Sequence, residues 1–169
     1  MKWKTLAVIL LSIGLLAACS GDDEEANGED VVTGATEILA EDEESLLNGI
    51  SDDGAWIIIF EDDLATEEEL VLTGGFKHRD EPARKLALYT QDEDRNITAS
   101  FTLTAPQITI KNENTRIQGG TFAGDVYVEA NGFSIPKATI DGNLYFASEE
   151  YQESADLSEG DVTGDIEVQ

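Results

Sequence analysis

Phe122-Ala-Gly-Asp-Val-Tyr-Val128, Ile140-Asp-Gly-Asn-Leu-Tyr-Phe146 and Val162-Thr-Gly-Asp-Ile-Glu-Val168 are three copies of one seven-residue phrase. Each reads apolar, any residue, Gly, Asp or Asn, apolar, Tyr or Glu, apolar. Gly124, Gly142 and Gly164 are separated by 18 and 22 residues, the length of one turn of a parallel solenoid. Apolar residues alternate with polar or amphipathic ones, so each phrase is a strand with one buried face. Stacked in register, the phrases predict one inward ladder of Val126, Leu144 and Ile166, and a second of Val128, Phe146 and Val168. Asp125, Asn143 and Asp165 then line up on the outside with Tyr127 and Tyr145 beside them. That outer row is the candidate ligand or interface surface.

Upstream, the spacing predicts further short strands at Trp56–Phe60, Leu70–Leu72, Leu86–Tyr89, Phe101–Leu103 and Ile108–Ile110. Ala105-Pro106-Gln107 reads as a corner that breaks the last two apart, because proline lacks a ladder donor. A short helix is expected over Thr36–Asn48, with Gly49 as its stop, and none after residue 50. The fold class is therefore all-β: a small right-handed parallel β-helix of about four to six rungs with a short N-terminal capping helix. A β-sandwich is the alternative. It would require hairpin turns, of which Asn131-Gly132 is the clear two-residue example.

The 169 residues include 36 acids, ten Lys and Arg and one His, for a net charge of −26. Between Ser20 and Phe76 there are 19 acids and no Lys or Arg; from Lys77 onward there are 17 acids and eight bases. Such a field repels nucleic acid and anionic membrane surfaces. Solubility in high salt is one reading of the acidity, and loose divalent-cation binding is the other.

The first 19 residues are a leader rather than part of the fold. Lys2 and Lys4 precede an apolar run of 13 residues, Leu6–Ala18, which is short for a membrane span. Leu16-Ala17-Ala18-Cys19 resembles the lipobox of bacterial lipoproteins. The resemblance implies cleavage before Cys19, lipidation of that cysteine, and an extracytoplasmic, membrane-anchored protein. Cys19 is the sole cysteine, so the remaining domain holds no disulfide. Residues 20–34 read as an acidic disordered tether, and residues 35–169 as the β-helix domain.

The helix followed by Asp52-Asp53-Gly54-Ala55-Trp56-Ile57-Ile58-Ile59 resembles the start of pectate-lyase-like β-helices. The phrases from 122 to 168 resemble the rungs of bactofilins, which polymerise. The first resemblance implies a polysaccharide lyase or hydrolase as the runner-up function; the second implies self-association through the C-terminal rung. No catalytic motif matches residue by residue. The cations a lyase would draw on are Arg84, Lys85, Lys111, Arg116 and Lys137, beside Asp125 and Asp141. Asp92, Asp94 and Asn96 form the weak candidate for Ca²⁺. Ile97 and Leu103 stand where an EF-hand needs Gly and Glu, which excludes that motif. His78 has no second His and no Cys beside it, which excludes a zinc site or a Cys/His nucleophile. The expected function is a non-enzymatic binding or scaffolding module of the cell envelope, with a carbohydrate or an envelope protein as partner and no resident cofactor.

Overall fold

The computed structural model describes residues 32–33 and 35–169. The leader, Cys19 and most of 20–34 lie outside the described residues. Val32–Thr33, from the end of the expected tether, pairs antiparallel with Lys77–His78.

The fold is mostly β and rests on two parallel sheets, one of eight strands and one of four. The chain passes between them repeatedly. Ala55–Ile59, Arg84–Ala87 and Thr115–Gln118 pair side by side in the four-stranded sheet. Each is followed by strands of the eight-stranded sheet: Leu64–Ala65 and Leu70–Leu72, then Thr102–Ile110, then Thr121–Val128. Single parallel bridges at Ser134 and Asp156 continue the first sheet. Thr139–Asp141 with Leu144–Phe146, and Asp161–Val162 with Ile166–Val168, continue the second.

Register follows the repeat. Val126 pairs with Leu144 and Leu144 with Ile166, while Val128 pairs with Phe146 and Phe146 with Val168. Both ladders extend upstream through Ile108 and Ile110 to Leu70 and Leu72. A third inward ladder runs Leu64, Leu103, Phe122, Ile140, Val162. Leu70, Ile108, Val126 and Leu144 are fully buried, as are Leu72, Ile110, Val128 and Phe146. A one-residue slip would turn every one of these side chains to solvent, so burial itself fixes the register. Glycine at the third phrase position also has a steric reason. A Cβ on Gly124 would overlap the carbonyl of Ala105, and one on Gly142 would overlap the carbonyl of Gly124. Gly124 further has φ +150°, a conformation that side chains disfavour.

Several local expectations are corrected. The predicted helix over Thr36–Asn48 divides into a strand, Ala35–Leu39, and a helix, Glu43–Ile50. Ala35–Leu39 pairs in parallel with Ala55–Ile59, so the helix is the crossover between two strands rather than a cap ahead of the first. Asp42 sets its start: the carboxylate accepts from the Ser45 amide at 2.8 Å, and the Ser45 hydroxyl accepts from the Asp42 amide at 3.0 Å. Glu43 and Glu44 then fall in the first turn, where acids suit the helix dipole. Gly49 does not stop the helix; it lies inside against Ile58, and Ser51 caps the end.

Thr102–Ile110 is one strand, not two. Pro106 sits where the register slips between Thr104 and Gln107, and a bulge is where a strand tolerates the missing donor. Tyr89–Gln91 and Ile97–Ser100 form an antiparallel hairpin, which the all-parallel reading lacks. A second helix, Glu149–Ser154, follows residue 50 against expectation, with Ser148 accepting from the Tyr151 amide as its N-cap.

Candidate functional site

The strands Thr121–Val128, Leu144–Phe146 and Ile166–Val168 bring the expected outer row together. Asp125 Oδ1 accepts from the Asn143 amide at 2.9 Å and from Asn143 Nδ2 at 3.0 Å. Asn143 Oδ1 in turn accepts from the Asp165 amide at 3.0 Å. Asp125 and Asn143 therefore each bond the next strand of the sheet. The alternation is electrostatically sound, because an amide between two carboxylates supplies a donor and avoids three stacked like charges. Tyr127 and Tyr145 pair in register with ring centroids 4.6 Å apart and planes at 35°, a geometry that favours aromatic contact. Loss of hydration, then the charge of Asp125, holds the Tyr145 hydroxyl above its ordinary pKa. The patch is a rigid surface of one Tyr pair flanked by a self-bonded Asp/Asn column.

The cations considered for a lyase are not gathered around Asp125 and Asp141. Arg84 is wholly buried. Its Nη2 donates to the carbonyls of Gly49 at 2.6 Å and Ser51 at 3.1 Å, and its guanidinium lies 4.1 Å from the Phe76 ring centroid. It thus ties down the carboxyl end of the first helix, which has no basic residue in its last turn. Burial lowers its pKa to about 10, with Asp52 opposing the shift. Arg84 is a core residue rather than a base presented to substrate. Lys111 pairs with Glu129 at 3.7 Å. Lys137 is exposed, and Asp141 accepts from the Thr163 hydroxyl at 2.9 Å.

Lys85 and Arg116 share a different place. They pair in register on adjacent strands of the four-stranded sheet and line a cleft of about 900 Å³. Arg79, Arg84 and Arg95 also line it, as do Trp56 and Tyr89. Lys85 Nζ donates to the Tyr89 hydroxyl at 2.7 Å, and Trp56 stacks on His78 with centroids 4.4 Å apart. Sequence reasoning named Lys85 and Arg116 but missed the cleft. The available signal was weak: Lys85, in the dipeptide Arg84-Lys85, and Arg116 stand at equivalent positions of two paired strands.

The weak Ca²⁺ candidate is a hairpin turn. Asp92 accepts from the Asn96 amide at 2.8 Å and from Asn96 Nδ2 at 3.2 and 3.0 Å. These donors hold its carboxyl below the usual range. Among the described residues no group of three or more His, Cys, Asp and Glu is placed to hold a metal ion. Among them, too, no helix is long and apolar enough to cross a membrane.

Fold and site together define a mostly β protein built on parallel sheets that carries, among the described residues, an aromatic patch and a cationic cleft. Comparison of the chain with family models, with curated proteins and with solved structures finds no match.

Proposed function

We propose that the protein is a lipid-anchored, non-enzymatic binding or scaffolding module of the bacterial cell envelope. In this reading residues 35–169 form a right-handed parallel β-helix held off the membrane by 20–34 and anchored through Cys19. The observation that carries it is the run of in-register inward ladders across successive turns of chain. A stack of that kind supports long outward columns of side chains, suited to holding a partner in a fixed place. The outward Asp/Asn column supports the same reading, since its hydrogen bonds run along the stack and stiffen it.

Two experiments test the proposal. Metabolic labelling with a palmitate analogue should tag the protein, and Cys19→Ser should abolish the tag. Incubation with uronate polymers and Ca²⁺ should leave the polymers intact; appearance of unsaturated product would replace the module by a lyase. A specific observation favours self-association as a second reading. Ile166 and Val168, in the last rung of two inward ladders, are 43% and 40% exposed, and such an edge can accept another strand. Sedimentation over a concentration series should show growth that Val168→Asp abolishes; a monomer throughout would end that second reading.

A further inference from the structure

We infer that the cleft over the four-stranded sheet binds a small multivalent oxyanion, a molecule with two or more carboxylate or phosphate groups about 5 Å apart. The inference rests on the binding-module reading and gives it a ligand class.

Charge is segregated there against the grain of the chain. The sequence carries 36 acids and ten bases, yet among the described residues Lys85, Arg95 and Arg116 come together in the lining of the cleft, with Glu81 and Asp156 as its carboxylates. The acidic surroundings repel anions from a distance, but that field is screened beyond about 10 Å at 0.1 M salt. Inside the cleft the local cations decide. Lys85 and Arg116 stand directly opposite on neighbouring strands, where like charges destabilise a sheet. Among the described residues no carboxylate forms an ion pair with Lys85, Arg95 or Arg116. A bound anion relieves that repulsion.

One unpartnered atom of the lining points to the same chemistry. Trp56 Nε1 has no hydrogen-bond partner among the described residues and is a donor only, which suits a ligand rich in acceptors. Geometry sets its size. Lys85 and Arg116 are one strand spacing apart, about 4.8 Å, and the arginine fork grips a carboxylate or phosphate through two bonds. Beyond Arg116 the concave surface continues to Asp156 and Glu159. Carboxylates therefore bound the cationic stretch, and a long polyanion running on would meet them. A compact ligand does not.

The test titrates the full-length protein with citrate and with tripolyphosphate at constant ionic strength, followed by calorimetry, with acetate as the single-charge control. Saturable binding of either compact ligand at one site per chain, with acetate inert, is the expected result. Citrate alone identifies a carboxylate ligand and tripolyphosphate alone a phosphate ligand. Arg116→Gln should weaken binding about tenfold or more, whereas Lys137→Gln, outside the cleft, should leave it unchanged. Arg116 is exposed, and thermal unfolding of the variant checks that the fold is kept. Arg95→Gln, on the hairpin, provides the same reading should Arg116→Gln destabilise. Absence of saturable binding overturns the inference, as does equal binding by Arg116→Gln, or equal loss in Lys137→Gln. Binding of another partner that both cleft variants leave intact would refute this site while the binding-module reading stands. Lyase product would remove that reading itself.

Discussion

The ladder of Val128, Phe146 and Val168 permits a graded test, because its members share one register column and differ in cover. Val128 and Phe146 are fully buried, while Val168 is 40% exposed. Truncating Phe146 to Ala removes a buried ring from between two neighbouring strands. Loss of transfer free energy plus the residual cavity costs about 3–5 kcal/mol for such a change. A domain of this size loses about 2–6 °C of Tm per kcal/mol, so Phe146→Ala should melt roughly 10–20 °C lower. Val128→Ala removes less volume from an equally closed site and should cost about 2 kcal/mol. Val168→Ala should cost under about 1 kcal/mol, since much of its surface already meets water. Urea unfolding of the three variants by circular dichroism measures the series, with equal m values marking an unchanged unfolded state. A cost at Val168 equal to that at Phe146 would mean that the strand Ile166–Val168 is covered in solution. A cost under about 1 kcal/mol at Phe146 would mean that the column is not the core of the domain, and the ladder reasoning would fail.

Arg84→Met should destabilise by about 2–3 kcal/mol, because the Gly49 and Ser51 carbonyls lose their donor. The folded-state pKa near 10 is below the ordinary arginine value. The cost of burying the charge is therefore full below pH 10 and fades as pH rises, so the wild type should gain on Arg84→Met in alkaline unfolding series. Asp42→Ala should destabilise at neutral pH through loss of the helix cap. Because Ser45 holds the Asp42 carboxyl below its ordinary pKa, that contribution is present above the ordinary carboxylate range and lost in acid. Wild type and variant should converge as pH falls through the acid range. Gly142→Ala should cost more than about 2 kcal/mol, as a side chain there overlaps the Gly124 carbonyl; an unchanged urea midpoint would refute the close rung approach.

The three phrases were legible because side-chain alternation and glycine spacing are local, and burial of one face turns them into register. The column of Asp125, Asn143 and Asp165 was placed correctly from spacing, but its hydrogen bonds were not foreseeable from residue type. Near Ala35–Leu39 the apolar pair Ile38-Leu39 suits a helix or a strand equally, and pairing with Ala55–Ile59 decided the matter. Pro106 announced a break, yet a bulge absorbs a proline without ending the strand. Arg84 reads as one more surface base; only the tertiary path of Gly49–Ser51 makes it a core residue. The cleft was the least legible feature. Lys85, Arg95 and Arg116 are each an unremarkable cation in a polar stretch, and stacking brings together residues far apart in sequence.

The parallel pairing also gives the molecule a mechanical direction. The hydrogen bonds of Ile166–Val168 to Leu144–Phe146, and of Leu144–Phe146 to Thr121–Val128, run along the stack. Tension applied down that axis loads the bonds of one junction at a time and peels strands off in sequence. Tension along the strands loads every bond of a junction together, in shear. Pulled between two points of attachment, the molecule would thus yield gradually in one orientation and abruptly in the other, and the placing of those points selects which.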